Sequence, residues 1–224
     1  MIDQAIRFGA VLNQPEFYTG GNLLEVGSGA VGITSLIDDR VICADIEFEQ
    51  ISNAAQQRMK ASATELPWKD GCFTRVVSSD MLEHIPLDDR QRAITEMVRV
   101  TGRTLFLACP CGDAARRVDH LIADLYRMFR VPVPIWLQEH LDRGIPDIEF
   151  IRTAIQATGK SYREASGESV VTHFFVSLLI ALRSMNQVWK SLLSGRPGGA
   201  RELAKMSSFP EFLPYRKLWV IDCR

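Results

Sequence analysis

Short apolar runs alternate with longer amphipathic stretches along the first half of the chain. Leu23-Leu24-Glu25-Val26 ends in glycines, and Arg40-Val41-Ile42-Cys43-Ala44 ends at Asp45. Arg75-Val76-Val77-Ser78 and Thr104-Leu105-Phe106-Leu107-Ala108 are similar runs flanked by turn or helix signals, and Met59–Ala61 is a shorter candidate. Runs of this length without strict alternation predict parallel strands buried on both faces. Asp88–Thr101 carries Ala93, Ile94, Met97, Val98 and Thr101 on one stripe and predicts a helix. Asp88 and Asp89 suit the positive end of its dipole, and Gly102 suits its stop. This strand–helix rhythm predicts an α/β fold, a doubly wound and mostly parallel sheet with right-handed crossovers.

The rhythm changes after Pro110. Asp113–Phe129 predicts a helix with Val118, Leu121, Ile122, Leu125, Met128 and Phe129 inward, broken by Val131-Pro132-Val133-Pro134. Asp147–Thr158 predicts another, stopped by Gly159, followed by a strand over Lys160–Ala165. Ser169–Leu193 predicts a long apolar helix, Gly195–Gly199 a loop, and Lys217–Ile221 a last strand, the seventh. The expectation is one domain over residues 1–224. Its core spans about 20–110, with a helical insertion or cap over about 111–158 and 168–214 and the closing strand at about 216–222.

Charge and composition narrow the function classes. With 224 residues and a formal net charge of -1, there is no basic excess to suggest a nucleic-acid partner. The five cysteines (Cys43, Cys72, Cys109, Cys111, Cys223) are odd in number and irregularly spaced. They predict free thiols in a reducing compartment, not a disulfide framework or a zinc knuckle. No basic segment followed by an apolar run opens the chain, so a cytoplasmic location is expected. Val170–Leu182 is too short and too interrupted to span a bilayer. The Val170–Leu193 helix is instead an expected internal or homodimer surface. No set of His, Asp, Glu and Cys shows firm metal-ligand spacing, so no metal is expected.

The chemistry starts at Glu25-Val26-Gly27-Ser28-Gly29-Ala30-Val31-Gly32. Glycines here let the backbone turn sharply and approach a ligand. The spacing also fits the G-x-G-x-x-G of dinucleotide folds, so a nicotinamide-dependent oxidoreductase is one reading. Glu25, two residues before the first glycine, argues against it, because a carboxylate repels a pyrophosphate and favours an amino group or a sulfonium. Asp45 ends the next strand, where a carboxylate can accept both hydroxyls of a ribose.

Further along, Ala61-Ser62-Ala63-Thr64-Glu65-Leu66-Pro67-Trp68 precedes Asp70-Gly71-Cys72-Phe73, and a strand then runs into Ser79-Asp80-Met81-Leu82-Glu83-His84-Ile85. Over roughly residues 20–110 these segments together resemble the class I S-adenosylmethionine-dependent methyltransferases. The small-molecule branch with an "LPF…sFD.V…..LEHI" pattern is the nearest in type. The resemblance implies a seven-stranded Rossmann-like methyltransferase fold with S-adenosylmethionine as cofactor. It assigns Glu25, Gly27, Ser28 and Gly29 to the methionine part, Asp45 to the ribose and Ile46 to the adenine face. Ala63 reads the adenine edge by its backbone, and the Ser79 carbonyl lies near the methionine amino group. Ser62 stands where an adenine-reading Asp is usual, and Phe73-Thr74 stands where the pattern has Phe-Asp.

The acceptor is less legible. Ser79-Asp80-Met81-Leu82 replaces the Asn/Asp-Pro-Pro-aromatic signature expected for planar amino groups of nucleic acids or proteins. A small-molecule or glycan acceptor, methylated on O or N, is therefore expected. Asp80, His84 and His140 are the candidates for the catalytic base, with capping or structural roles as the alternatives. Trp136–Leu141 lies in the insertion and reads either as a lid or as a helical cap. A non-catalytic cofactor-binding or scaffold protein is the remaining alternative.

Overall fold

The computed structural model describes residues 2–48, 55–184 and 213–224. Its strands are β1 (Leu23–Val26), β2 (Val41–Asp45), β3 (Gln56–Lys60), β4 (Phe73–Ser79), β5 (Thr101–Pro110), β6 (Ser161–Ser166) and β7 (Arg216–Asp222). Its helices are α1 (Ile2–Leu12), α2 (Leu87–Val100), α3 (Gly112–Met128), α4 (Ile135–Arg143), α5 (Ile148–Gln156) and α6 (Val170–Ser184). The seven strands form one sheet in the order β3-β2-β1-β4-β5-β7-β6. Strands β1 to β5 are parallel, while β7 runs antiparallel between β5 and β6. This is the doubly wound architecture the sequence predicts.

The apolar runs do not alternate because the sheet is covered on both faces. Leu24, Val76, Leu105 and Leu107 pack on one side with Ile94 and Met97 of α2 and Ile151 of α5. Their sequence neighbours Leu23, Val77 and Phe106 pack on the other side with Phe8 and Val11 of α1. Successive strand side chains point to opposite faces, so both must be apolar. A third cluster joins Ala115, Val118, Ile122 and Tyr126 of α3 to Leu137 of α4 and to Tyr215.

Two elements, β3 and α1, depart from the sequence reading. The strand expected at Met59–Ala61 is Gln56–Lys60. It lies at the sheet edge, where Gln57, Met59 and Lys60 are exposed and the apolar signal fades. Helix α1 was not anticipated, although Ala5, Phe8 and Val11 form its buried side. The segment around Trp136–Leu141 is helical, with Pro134 just before its first turn. Of the long apolar helix, Val170–Ser184 is described, with Val171, Phe175 and Leu179 exposed on one stripe. The rest of it and the loop at Gly195–Gly199 lie outside the described residues. Among the described residues, no helix is long and apolar enough to cross a membrane.

Candidate active site

The strand order reverses between β1 and β4, and that reversal opens a crevice at the carboxyl ends of the strands. A cavity of about 420 Å³ lies there, bounded by Gly27 and Gly29 after β1, Asp45 and Ile46 after β2, Ser62 and Ala63 after β3, and Asp80 and Met81 after β4. A second cavity of about 560 Å³ adjoins it and shares Arg7, Asp80 and His84 as lining. Glu83, Trp136, His140, Tyr215 and Arg216 help enclose the second one.

The glycine loop is shaped by positive φ angles of 76° at Gly27, 58° at Gly29 and 58° at Gly32. A Cβ on Gly27 would meet Met81 at 2.3 Å, whereas one on Gly29 would meet no protein atom within 4 Å. Gly29 thus leaves a space beside the backbone. Glu25 has a different place from the one implied by the resemblance. Its side chain is fully buried beneath the loop, and both carboxylate oxygens accept the Ile33 N–H, at 3.1 and 3.0 Å. A Cβ on Gly32 would sit 2.3 Å from Glu25 Oε2, so that glycine makes room for the carboxylate. Burial pushes the Glu25 carboxyl up to about 7. Glu25 therefore acts on the loop from behind; it does not face the cavity. Ser28 is likewise buried and turned away, its hydroxyl donating to Gly29 O at 3.4 Å.

The remaining cofactor candidates do face the first cavity, Ser79 excepted. Asp45 Oδ2 accepts the Gly29 N–H at 2.8 Å, which ties the loop to β2. Ile46 is 74% exposed at the rim, an apolar surface for a planar ring. Ser62 Oγ is engaged with Thr64, accepting its N–H at 3.2 Å. The Ser79 carbonyl does not stand open. Arg7, reaching in from α1, donates its Nε to Ser79 O at 3.1 Å and an Nη2 hydrogen to Gly27 O at 3.1 Å. Arg7 escaped the sequence reading because its own segment carries no glycine or acid motif.

Asp80 holds a left-handed backbone with φ 50°, unusual for a residue with a side chain. Arg216 clamps it with two hydrogen bonds of 2.6 Å and reaches Glu168 at 2.8 Å. Burial pushes the Asp80 carboxyl up, but the charges of Arg216 and Arg7 outweigh it and leave the pKa lowered. A carboxylate so engaged is a poor base.

Beside it, His84 and His140 each have Nδ1 on a carboxylate, Glu139 and Asp119 respectively, at 2.8 Å in both cases. Their rings lie 5.1 Å apart. Burial and the nearby His140 lower the pKa of His84, so its ring is neutral near pH 7. For His140, burial lowers the pKa, but the Asp119 hydrogen bond and the charge of Glu83 raise it on balance. Glu83 is fully buried, and neither of its carboxylate oxygens has a hydrogen-bond partner. Burial and the adjacent Asp80 push its carboxyl up to about 7. The fold thus brings Asp80, His84 and His140 to one cavity and adds Glu83, Glu168 and Arg216. Arg216 lies 136 residues from Asp80, a pairing no local pattern reveals.

The buried glutamates set a pH dependence. A carboxyl whose folded pKa is raised keeps its proton in the native state after the unfolded chain has released it. Stability then falls as pH rises from about 4.5 to about 7 and levels above that. Glu25 alone contributes on the order of 3 kcal/mol to this fall. Thermal unfolding followed by circular dichroism should show the melting temperature falling across that window. Glu25→Gln should remove a substantial part of the fall.

Residues 24–106 match the family model of a methyltransferase domain. The match covers well under half of the chain and supports the class I S-adenosylmethionine-dependent methyltransferase resemblance of this part. Over 121 residues the chain is 30% identical to norajmaline N-methyltransferase of Rauvolfia serpentina, an alignment that covers 46% of this chain and 39% of that enzyme. The chain thus spans well under half the length of this curated relative. Among solved structures it is similar to phosphoethanolamine N-methyltransferase 2 of Haemonchus contortus in complex with S-adenosyl-L-methionine. The TM-score is 0.59 at 13% identity, covering 98% of this chain and 52% of that one. It is also similar to the cyclase SpnF, with a TM-score of 0.56 at 12% identity, covering 97% of this chain and 80% of that one. The last two likenesses concern the methyltransferase fold alone, and one bears the name of a cyclase, so the reaction must be argued from the site.

Proposed function

We propose that the chain transfers a methyl group from S-adenosylmethionine to a small-molecule or glycan acceptor, on O or N. The observation that carries this reading is the pair of adjoining cavities that share Arg7, Asp80 and His84. One has the lining of a nucleoside site, and the other sets Glu83, His84, His140, Glu168 and Arg216 among apolar groups. The N-methyltransferase relative in Rauvolfia serpentina supports the reaction class and favours nitrogen among the acceptor atoms.

The residues of the first cavity fit the cofactor. The open space beside Gly29 admits a ligand close to the backbone. Asp45 keeps lone pairs for ribose hydroxyls while holding Gly29, and Ile46 offers an apolar face to adenine. Arg7 alters the picture drawn from the resemblance. Its guanidinium already donates to both carbonyls that would receive the methionine amino group, and its fork suits the methionine carboxylate. Arg7 therefore yields at least one carbonyl on binding and turns toward that carboxylate. S-adenosylmethionine, when bound, supplies an activated methyl on its sulfonium.

The chain's own residues then align the acceptor. The clamp of Arg216 on Asp80 fixes the turn after β4, where the two cavities meet. His84, neutral and oriented by Glu139, is the group able to take a proton from the acceptor. His140, Trp136 and α4 close the far wall and reduce access of water.

Calorimetry with S-adenosylhomocysteine tests the cofactor reading. Saturable binding is expected, weakened at least about tenfold in Asp45→Ala, since charged hydrogen bonds are worth about 1.5–3 kcal/mol. Absence of binding at millimolar ligand would overturn the assignment. Release of S-adenosylhomocysteine in the presence of amine and hydroxyl acceptor pools tests the transfer itself.

A further inference from the structure

We infer that Glu83, His84 and His140 hold one divalent transition-metal ion, of the zinc type, in the wall of the acceptor cavity. One potential ligand atom from each residue lies within 4.8 Å of those of the other two. His140 Nε2 already stands 3.8 Å from Glu83 Oε1. Around a tetrahedral ion with bonds of about 2.0–2.2 Å, donor atoms lie roughly 3.4 Å apart, so small side-chain adjustments close the set.

Two independent features point to a ligand there. The first is Glu83. A fully buried carboxylate with neither oxygen hydrogen-bonded is costly, and this one lines the cavity. A bound cation removes that cost. Of the arginines whose charge acts on it, Arg216 is already paired with Asp80 and Glu168, and Arg90 is bound to backbone carbonyls. The second feature is the outer shell. Both imidazoles have Nδ1 on a carboxylate, Glu139 for His84 and Asp119 for His140, which leaves each Nε2 for another partner. Carboxylate–histidine pairs of this form orient imidazoles toward metals and strengthen them as ligands. Asp119 is itself fixed by the Tyr215 hydroxyl, which donates to its other oxygen at 3.0 Å.

Two imidazoles and one carboxylate suit zinc, cobalt, iron or manganese better than calcium or magnesium. Three protein ligands leave a position open toward the cavity. There the ion would bind the acceptor's oxygen or nitrogen and lower its pKa, and His84 would then serve as a ligand and no longer as the proton acceptor. That role rests on the methyltransferase reading, whereas the ion site does not.

The test is calorimetric titration of the chelator-treated full chain with ZnCl2, and absorption spectroscopy with CoCl2. One saturable equivalent is expected, with the visible bands of tetrahedral cobalt and no thiolate charge-transfer band. Glu83→Gln should abolish binding. This variant should fold at least as well as the parent, because it replaces a buried carboxylate by a neutral group, so unfolding cannot account for the loss. His140→Ala should also abolish it, and Asp119→Asn and Glu139→Gln should weaken it roughly 10- to 100-fold. Cys111→Ser should leave it unchanged. No saturable equivalent, binding that survives Glu83→Gln, or a thiolate band would overturn the inference. S-adenosylhomocysteine binding without zinc binding would sink the metal site alone. Zinc binding without cofactor binding would sink the methyltransferase reading alone.

Discussion

Arg216→Met lowers the stability of the chain by about 3–5 kcal/mol, the range expected when one partner of a buried ion pair is removed. The guanidinium is almost wholly buried and holds Asp80 with two bonds and Glu168 with one. Without it, the buried Glu168 and the partly buried Asp80 lose their main cation, keeping only His173 and Arg7 respectively, and Asp80 loses what holds it at a positive φ. At this chain length the melting temperature should drop by roughly 10 °C. Arg216→Lys keeps the charge but cannot reproduce the planar fork, so it should fall between parent and Met. Adding Asp80→Asn and Glu168→Gln to the Met variant should recover part of the loss by removing the stranded charges. Denaturant unfolding measures all of these. A cost for Arg216→Met below about 1 kcal/mol would show that the carboxylates find water or other partners and that the clamp is not structural.

The second large effect concerns Glu25, for which two roles make opposite predictions. If the carboxylate attracts the cationic cofactor directly, Glu25→Gln and Glu25→Ala should both impair binding. If it secures the glycine loop through Ile33 N–H, Gln keeps an acceptor oxygen and Ala does not. The structure favours the second role, because the side chain lies beneath the loop and does not line the cavity. Glu25→Ala should therefore weaken S-adenosylhomocysteine binding about 10- to 100-fold, and Glu25→Gln by much less. Equal losses in both variants, measured by calorimetry, would restore the direct electrostatic role.

These cases show where the sequence was informative. Most strands were found close to their boundaries because each buries both faces and so appears as a continuous apolar run. β1 is Leu23–Val26 as expected, and β7, expected at Lys217–Ile221, is Arg216–Asp222. The turns at Gly27 and Gly29 and the place of Asp45 at the end of β2 were legible for a similar reason, since they depend on local backbone and on one strand end. Glu25 was picked out for its charge, but its direction depends on which neighbours surround it, and that is a tertiary matter. Arg7 gave no local signal at all, and its importance comes from the two carbonyls it meets across the crevice.

By itself the sequence determined the doubly wound fold, the glycine loop and the likeness of residues 24–106 to a methyltransferase domain, because those follow from periodicity and from motifs within short stretches. Only the tertiary structure decided that Asp80 is bound by Arg216, that Ser79 is covered by Arg7, and that Glu83 faces His84 and His140. These groups come from separate elements: β4 and the turn after it, α1, α4 and the first residue of β7. Their charges acquire partners and shifted pKa values only when folding removes them from water and sets them a few ångströms apart.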